Sequence, residues 1–499
     1  MKTIAVRSLI LLMAILIALA FLPACKDPND LLDQTDAGTD TGELEQPKDR
    51  YDKNGYLLDH LPDDLGKLWE DKGLDSEVKI LCWNAENPEF EVKLSDTSSN
   101  IDHSIYSRNK QVETRLNIEL SYQQEDWDNH LVTVQNAQKG GIWWDIVATK
   151  TQSASYLTGG GCLQPINQAK GSYLDLDMPW WSQQLVDKIR INDRLYFCTG
   201  DLSTNLVQMI YCVYFNETMV NSIDGMASPY ALVAQNEWTL DTMLSMAKEA
   251  YVDQDDAAGV SVGDSLGLLG YSWDYPALLH GCGVVAIEQD EAGDLVVSRD
   301  FKGQKADDII DSITDTLKLC GKVMDDDGAY GNCFPSGRSL FVIRECGSAM
   351  RYFKNVSFTA GCVPCPKYSS DQESYYSTVR QPVTMYGLVS NLPEERLEVA
   401  TGVLEALSSA GYRTTTPVIF EESMMYTNST SAQMTEMLQL IKDTAYFDFG
   451  RIYSREMKGI SDWPGLCMNK GTKWQTYLAR DLRTVEVLLS IFVEEHFPS

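Results

Sequence analysis

Histidine is scarce in this chain, and so are recognisable catalytic signatures. Only five of the 499 residues are histidine, and none stands in the HExxH pattern of zinc peptidases. A glycoside hydrolase needs only two well-placed carboxylates, so the 72 acidic residues leave that class of enzyme open. Basic residues are also few, and the formal net charge of −31 argues against nucleic acid or an anionic membrane surface as a partner.

Long hydrophobic runs are missing as well. The longest apolar run, residues 8–22, follows Lys2 and Arg7 and is too short to span a membrane, so residues 1–24 are predicted to be a signal peptide. The sequence Leu22-Pro23-Ala24-Cys25 resembles the lipobox of bacterial lipoproteins, with plain secretion as the alternative. Lipid on Cys25 would anchor the protein at the extracellular face of the cytoplasmic membrane.

Residues 25–75 are rich in Asp, Thr, Gly and Pro and have few apolar positions. Such a composition is typical of a solvated spacer, because it offers little apolar surface to bury. We therefore predict a flexible acidic linker between the lipidated cysteine and the folded body.

From residue 78 onward, segments typical of strands alternate with segments typical of helices. The predicted strands cover residues 78–83, 118–122 and 142–148, and the predicted helices cover residues 107–116, 128–139 and 151–157. This alternation predicts an open α/β sheet with parallel strands and right-handed crossovers. Ligands of such sheets bind beyond the carboxyl ends of the strands, here the stretches WNAE at 83–86 and TKTQ at 149–152.

The stretch at 195–216, LYFCTGDLSTNLVQMIYCVYFN, contains a turn signal followed by an apolar run. The run at 206–215 lacks helical periodicity and is predicted to be a strand buried on both faces. Asp201 would then lie at the mouth of a buried strand, where a carboxylate needs hydrogen bonds. It either bonds the backbone of its own turn or faces a ligand.

Five stretches, in this order and spacing, resemble one known family: WWDIVATKTQSASYLTGGGCLQPI, DMPWWSQQLVDKIRINDRLYFCTGDLS, VYFNETMV, SPYALVAQNEWTLDTMLSMAKEA and VPCPKYSSDQESYYSTV. From about residue 78 to the C-terminus the chain resembles extracellular solute-binding proteins of family 1, the maltose-binding-protein-like lipoproteins of ABC importers. The resemblance implies an α/β, two-lobed periplasmic-binding-protein-like fold, with crossing hinge strands and an interlobe cleft. It also implies the transmembrane permease subunits of an importer as partners.

Carried onto this sequence, the resemblance places the two crossings at residues 203–215 and near residues 383–390. Lobe one would comprise residues 75–204 plus 383–412, and lobe two residues 205–382 plus 413–499. The last helix of lobe one, at 392–412, is expected to follow an Asn391 cap. The C-terminal helices are expected at 432–444 and 474–494, and a strand of lobe two at 339–343.

Sugars are held by aromatic faces together with fixed polar side chains. The expected ligand-binding residues are Trp83, Glu86, Thr149, Gln152, Asp201, Trp273, Tyr275, Arg351 and Tyr386. The alternatives stay open: Trp83, Trp273 and Tyr386 could equally be core residues, and Arg351 could form a surface salt bridge. Trp180 and Trp181 are predicted to be structural packing residues.

The acidic run 253–256, followed by Gly259, resembles part of a calcium loop but lacks the later ligands. We predict a solvated acidic turn there, with calcium as the alternative, and no metal or cofactor elsewhere. Eleven cysteines besides Cys25 are scattered along the chain, and several are expected to be buried as small apolar residues. The CxxC of Cys362 and Cys365 has no partners that would complete a zinc site.

The sequence therefore predicts a lipid-anchored, non-enzymatic receptor that closes around a small-molecule solute and delivers it to a permease. The expected solute is a carbohydrate, in the form of an oligosaccharide. The alternative is a surface-anchored glycoside hydrolase that uses an Asp/Glu pair.

Overall fold

Two separate mixed β-sheets organise the computed structural model, which describes residues 50–85, 88–126, 128–255, 257–324, 328, 330–353, 356–426 and 432–497. The strands are β1 (Glu77–Trp83), β2 (Glu119–Glu125), β3 (Ile146–Lys150), β4 (Leu163–Gln164), β5 (Phe197–Cys198), β6 (Tyr211–Asn216), β7 (Leu266–Gly270), β8 (Ile287–Gln289), β9 (Leu295–Val297), β10 (Gly321–Val323), β11 (Ser339–Glu345), β12 (Ala360–Val363), β13 (Ser377–Thr378), β14 (Thr384–Val389) and β15 (Ala445–Tyr446).

The helices that accompany these strands are α1 (Leu65–Asp71), α2 (Asn100–Leu116), α3 (His130–Lys139), α4 (Thr151–Gly159), α5 (Gln183–Ile189), α6 (Thr204–Gln208), α7 (Glu217–Ser222), α8 (Pro229–Ala234), α9 (Leu240–Glu249), α10 (Pro276–Gly281), α11 (Arg299–Lys302), α12 (Gln304–Cys320), α13 (Ser348–Tyr352), α14 (Glu394–Tyr426), α15 (Ala432–Asp443), α16 (Phe449–Ile452), α17 (Trp463–Lys470) and α18 (Trp474–His496). Short 3₁₀ turns occur at Ile166–Gln168, Tyr330–Asn332 and Ile460–Asp462. Among the described residues, no helix has both the length and the apolarity that a membrane span requires.

The first sheet has the strand order β2-β1-β3-β14-β4, and β5 also pairs with β14. Strand β1 is parallel to β2 and β3, as the alternation of strands and helices predicted. Strand β14 runs antiparallel to β3, with Met385 opposite Thr149. The chain therefore returns to the first sheet after a long excursion.

The second sheet has the strand order β10-β7-β11-β6-β12. Strands β7, β10 and β11 are mutually parallel, whereas β6 is antiparallel to both β11 and β12. The carboxyl ends of β7 and β11 consequently meet at one edge, where Tyr211 at the start of β6 lies opposite Glu345.

Two antiparallel segments join the sheets. Ile210 forms a β-bridge with Val379, and the backbone N–H of Arg380 donates to the carbonyl of Met209 at 2.8 Å. Directly beyond these contacts, β6 enters the second sheet and β14 enters the first. The crossing strands predicted from the resemblance are thereby confirmed.

The strand predicted at 206–215 is wrong in its first half. Residues 204–208 form α6, whose start is capped by Ser203: its hydroxyl accepts the N–H of Leu206 at 3.2 Å. Every residue of this short helix is buried. A helix that is buried on all sides shows no amphipathic period, so the pattern did not distinguish it from a buried strand.

The linker predicted to extend to residue 75 is wrong from residue 50 onward. Leu65 and Trp69 on α1 are buried in the core, and buried Asp59 pairs with Arg115 at 2.7 Å. The apolar residues at 57, 61, 65 and 69 pack in or against the core, although only residues 65–71 are helical, and the polar composition of the segment concealed them. The predictions for residues 1–49, including Cys25, lie outside the described residues.

Helix α14 ends at Tyr426, well beyond the predicted residue 412, and so continues through the lobe boundary expected there. Thr414, Thr415, Thr416 and Pro417 all disfavour helix, but packing overrides propensity. Ile419 packs in a small apolar cluster with Ile101, Ile105, Val207 and Met350. Asn391 does not cap this helix: its side-chain oxygen accepts no hydrogen bond from the described residues, and its amide donates to the carbonyl of Ile142 at 3.0 Å.

Other predicted elements are confirmed with shifted bounds, and helix α2 begins at Asn100 instead of residue 107. Strand β3 begins at Ile146 instead of residue 142, and helices α15 and α18 occur close to their expected bounds. Trp180 and Trp181 are buried packing residues, as expected, and both indoles donate to Glu405, at 3.0 and 2.8 Å. All eleven cysteines after Cys25 are buried free thiols.

Candidate ligand-binding cleft

A group of aromatic and charged side chains lies at and beyond the carboxyl ends of β7 and β11. We call it the arginine–aromatic cluster, and it consists of Tyr271, Trp273, Asp274, Arg344, Glu345, Arg351, Tyr352 and Arg380. The first three residues follow β7, the middle ones end β11 or lie on α13, and Arg380 lies on the second crossing. Ligands of open α/β sheets bind at this position, beyond the carboxyl ends of parallel strands.

Two aromatic side chains of the cluster, Trp273 and Tyr352, are partly exposed. The indole of Trp273 stacks on the ring of Tyr271, with centroids 4.5 Å apart and planes 6° apart. Trp273 and Tyr352 are 46% and 54% exposed. The guanidinium of Arg344 lies 4.9 Å from the ring centroid of Tyr271 and 5.0 Å from that of Tyr352. A cation between ring faces suits a ligand that carries both apolar and polar sides.

Beneath these rings, three arginines surround two fully buried carboxylates. Glu345 lies 2.9 Å from Arg380, 3.6 Å from Arg344 and 3.8 Å from Arg351. Arg344 also lies 3.6 Å from Asp274. Burial opposes ionisation of Glu345, but the attraction of Arg344 and Arg380 outweighs it and lowers the pKa of this carboxyl.

The pKa of Asp274 shifts in the opposite direction to that of Glu345, although both carboxylates lie 3.6 Å from Arg344. Burial raises the pKa of Asp274 to about 7, because Arg344 compensates only part of the desolvation and Glu345 adds repulsion. Asp274 therefore carries less than a full negative charge near neutral pH.

On the side of the first sheet, Gln152 at the start of α4 lies next to the second crossing. Its amide donates to the side-chain carbonyl of Gln381, which lies on the second crossing, and Gln381 donates to the carbonyl of Arg451 at 2.8 Å. The Oε1 of Gln152 is buried and accepts no hydrogen bond within the described part of the chain. Gln152 thus offers an acceptor next to the hinge.

Two of the expected ligand residues, Trp83 and Tyr386, are instead parts of a buried polar network. Trp83 is 2% exposed, and its indole donates to Thr384 at 2.9 Å. Thr384 and Tyr386 both donate to Glu89, at 2.7 and 2.8 Å, and Asn205 donates to the same carboxylate. Burial raises the pKa of Glu89. The network ties β1 and α6 to β14, and Trp83 and Tyr386 serve the core of the first sheet.

Asp201 does not bond the backbone of its own turn, and the alternative that it faces a ligand stays a prediction. It is 3% exposed and accepts a hydrogen bond from Thr416 at 2.6 Å and one from Lys442 at 3.3 Å. It borders a separate cavity of about 290 Å³ that is also lined by Trp180 and Trp181. Both bonding partners lie more than 200 positions further along the chain, so no local pattern indicated this ion pair.

Tyr275 and Thr149 are likewise directed into the protein. Tyr275 is fully buried and its hydroxyl donates to the carbonyl of Lys322 at 2.9 Å. Thr149 is buried and shares a hydrogen bond of 2.7 Å with a ring nitrogen of His130. Glu86 lies outside the described residues. Of the expected residues, Trp273 and Arg351 belong to the arginine–aromatic cluster, Gln152 lies beside the second crossing, and Asp201 lines a separate cavity; the contact of all four with a ligand stays a prediction.

Sequence reasoning missed Tyr271, Arg344 and Arg380. Arg344 carried a usable signal, since it stands inside the apolar strand SLFVIRE, where a charge is costly unless it is paired. The sequence around Arg380 gave no such signal, because its role depends on Glu345 of a distant strand.

The described part of the predicted acidic turn, residues 253–255, is a polar loop. Carboxylate oxygens of Asp253, Asp255 and Asp264 lie within 4.8 Å of one another, an arrangement that can hold a metal ion. Buried Asp264 also accepts the N–H of Ser261 at 2.7 Å. The nearby stretch GVSVG at 259–263 has the spacing of a hydrolase nucleophile elbow, but Ser261 lies in a loop, not on a strand-to-helix turn, and donates to Asp255.

A larger cavity, of about 740 Å³, is lined by residues of α5, of the β8–β9 hairpin and around β15. Its walls contain no residue of the arginine–aromatic cluster. Size alone does not define a site, and the position beyond the parallel strands favours the cluster as the ligand site.

The chain matches no protein-family model, and no curated protein matches its sequence. Solved structures are similar over most of its length. A cyclic α-maltosyl-1,6-maltose binding protein from Arthrobacter globiformis aligns with 84% of this chain and 100% of its own, at 11% identity and a TM-score of 0.57. An ABC substrate-binding protein from Listeria monocytogenes, in complex with cycloalternan, aligns with 84% and 99%, at 10% identity and a TM-score of 0.51.

UgpB from Mycobacterium tuberculosis, in complex with glycerophosphocholine, aligns with 84% of this chain and 99% of its own, at 14% identity and a TM-score of 0.51. At such identities the likeness concerns the fold. The chain therefore has the two-lobed α/β fold of substrate-binding proteins, which the sequence resemblance implied.

Proposed function

We propose that this protein is the solute-binding receptor of an ABC importer and that its solute is a carbohydrate. The observation that carries the proposal is the half-exposed indole of Trp273, stacked on Tyr271 beside Arg344 at the cleft edge. Stacked aromatic faces cover the C–H side of a sugar ring, while guanidinium and amide groups bond its hydroxyls. Two of the similar structures are named for saccharides, cyclic α-maltosyl-1,6-maltose and cycloalternan, and the third for glycerophosphocholine, so the exposed rings rather than the fold favour a sugar.

The mechanism that we propose is closure about the two crossings. A ligand that touches Trp273 on one side and Gln152 on the other contacts both lobes only when the cleft is closed. Such a ligand shifts the population toward the closed state by its extra contacts there. The closed form would then deliver the solute to the permease subunits.

We also propose that the receptor is tethered outside the cytoplasmic membrane through lipid on Cys25. The support is the lipobox-like sequence that ends in this cysteine. One lipid chain gives only marginal membrane binding, so a stable anchor would need more than one acyl chain.

A glycoside hydrolase would need two carboxyl groups that reach the glycosidic bond. Within the described part of the arginine–aromatic cluster, the carboxyl groups are those of Asp274 and Glu345, and both are fully buried beneath the arginines. This arrangement favours the receptor over the hydrolase.

A thermal-shift screen against oligosaccharides, with chemical analysis of the recovered sugar, tests the proposal. A ligand bound only by the folded state stabilises it by about 2.7 kcal/mol at 100 times Kd. We expect at least one oligosaccharide to raise the melting temperature and to be recovered intact. Cleavage of the sugar would favour the hydrolase, and a screen without any stabilising sugar would contradict the proposal.

A further inference from the structure

The cavity of about 740 Å³ lies beside the second crossing and contains no residue of the arginine–aromatic cluster. Its wall residues Tyr375 and Tyr376 directly precede β13, which leads into the crossing, and Tyr446 of β15 pairs with Thr378 of that strand. Other walls are formed by α5, which precedes β5 of the first sheet, and by the β8–β9 hairpin, which follows β7 of the second. A cavity of this size accommodates a small organic molecule.

Tyr375 in the cavity wall has a hydroxyl group without a partner. The residue is 7% exposed, and its hydroxyl forms no hydrogen bond within the described part of the chain. The ammonium of Lys367 lies 4.5 Å from the centroid of the Tyr375 ring, but it donates to Asn236 at 2.6 Å. Buried hydroxyl groups are nearly always bonded, because an unpaired one costs free energy. A ligand in the cavity would supply the missing partner.

Two further tyrosine rings belong to the same wall. The rings of Tyr376 and Tyr446 have centroids 5.1 Å apart and planes inclined by 66°. The ammonium of Lys188 lies 5.9 Å from the centroid of Tyr446, at the outer limit of a cation–π contact. The wall therefore holds aromatic rings that already attract one ammonium group.

The carboxylates of the cavity outnumber its ammonium groups. Glu288, Asp290 and Asp443 line it, and Lys188 is the one lysine among the lining residues. One oxygen of each carboxylate accepts hydrogen bonds at 2.7 to 3.0 Å, and the second oxygen accepts none within the described part of the chain. The three do not converge on one point, since the only described group of carboxylates that is close enough to hold a metal ion is the one at 253–264.

We propose that this cavity binds a small organic cation of the diamine type, whose ammonium groups donate to the free carboxylate oxygens and to the hydroxyl of Tyr375. An ammonium group donates up to three hydrogen bonds and is attracted to tyrosine rings as well as to carboxylates. A metal ion would need several oxygen ligands around one point, which these spaced carboxylates do not provide. The site goes beyond the proposed function and does not depend on the solute at the arginine–aromatic cluster.

The test compares probes that share one carbon chain and differ in charge, by titration calorimetry on the purified full chain at low salt. The probes are cadaverine, pentanediol and glutarate, with spermidine and choline as further cations. Cadaverine should bind at one site per chain and about tenfold more tightly than pentanediol, because charge-assisted hydrogen bonds are stronger than neutral ones. Glutarate should not bind, and raised salt should weaken the binding of cadaverine.

Variants distinguish the cavity from the acidic surface as a whole. Tyr375→Phe removes only the hydroxyl and should weaken cadaverine binding by about fivefold to tenfold. The melting temperature of this variant without ligand should equal or exceed that of wild type, since no internal hydrogen bond is lost. Glu288→Gln keeps an acceptor for the N–H of Arg299 and should weaken binding by about tenfold. Asp96→Asn, an exposed position that does not line the cavity, should keep wild-type affinity.

Three results would overturn this inference. Equal cadaverine affinity in wild type, Tyr375→Phe and Glu288→Gln would show diffuse attraction to an acidic protein. Binding of pentanediol as tight as that of cadaverine would assign the cavity to neutral polyols. Absence of saturable binding by cadaverine, spermidine and choline alike would exclude the cation site. If Tyr375→Phe does not fold, Glu288→Gln and the probe series still decide, and the oligosaccharide screen tests the proposed function separately.

Discussion

The indole of Trp83 donates a hydrogen bond of 2.9 Å to the hydroxyl of Thr384 and so joins the end of β1 to the start of β14. The bond connects two residues 301 positions apart, at the point where the second crossing enters the first sheet. Trp83 therefore contributes to the base of the hinge from within the core. Its role contrasts with that of Trp273, which lies half-exposed at the cleft.

The two tryptophans should respond oppositely to truncation. Trp83→Ala empties a buried position and should lower the free energy of unfolding by about 3–5 kcal/mol. Trp273→Ala should leave the melting temperature of the free protein nearly unchanged but lose about 1–3 kcal/mol of ligand binding. Melting curves and titration calorimetry on both variants check the contrast. Reduced ligand affinity in a stably folded Trp83→Ala would show that Trp83 belongs to the ligand site.

Asp201 should matter for stability and not for binding. Asp201→Asn leaves Lys442 without its carboxylate partner and should destabilise the protein by about 2 kcal/mol. The matched control is Asp443→Asn, which removes a charge from the exposed neighbour of Lys442 and should change stability by less than about 0.5 kcal/mol. Urea unfolding of both variants measures the difference. If the folded Asp201→Asn variant binds the ligand more weakly, the main role of Asp201 is in ligand binding and not in the ion pair with Lys442.

The fold could be predicted from the sequence because the local strand–helix patterns and the ordered family-like motifs both indicate it. The parallel strands β1, β2 and β3 alternate with amphipathic helices, and the crossings followed from the family resemblance. The residues of the ligand site could be predicted from the sequence only in part. The sequence shows that Trp83 ends a strand, but the inward direction of its ring depends on Thr384, which no neighbouring residue specifies. Arg344 was detectable as a charge in an apolar strand, whereas its carboxylate partner Asp274 comes from a different strand end.

Stability should fall as the pH rises from about 6.5 to 8. Burial raises the pKa of Glu405 to about 8, so the folded state keeps a proton in this window that the unfolded chain has already released. The folded state binds more protons than the unfolded state, and one such carboxyl costs about 1.4 kcal/mol per pH unit at its steepest. At pH values below the usual pKa of glutamate, Glu405 is protonated in both the folded and the unfolded state. The free energy of unfolding then no longer depends on this group.

Urea unfolding at several pH values checks this dependence. Glu405→Gln removes the titrating carboxyl and should flatten the slope, even if the loss of an acceptor for Trp180 or Trp181 lowers the overall stability. Exposed Glu494→Gln on α18 should keep the wild-type slope. An unchanged slope in Glu405→Gln would show that another group controls the pH response.

The anchor prediction concerns Cys25. If this cysteine receives lipid, Cys25→Ala should release the protein from the membrane fraction into the medium, while the folded body stays intact. Fractionation and immunoblotting of wild type and variant measure the distribution. Ser8→Ala, which leaves the lipobox-like sequence intact, should remain with the membrane. Membrane association of Cys25→Ala equal to that of wild type would argue against lipidation.

The most direct test of the receptor itself is titration calorimetry with the oligosaccharide that stabilises the protein best. The account predicts one binding site per chain, an unaltered sugar after the titration, and an affinity that Trp273→Ala weakens by about fivefold or more. Wild-type affinity in Trp273→Ala, or consumption of the sugar during the titration, would contradict it.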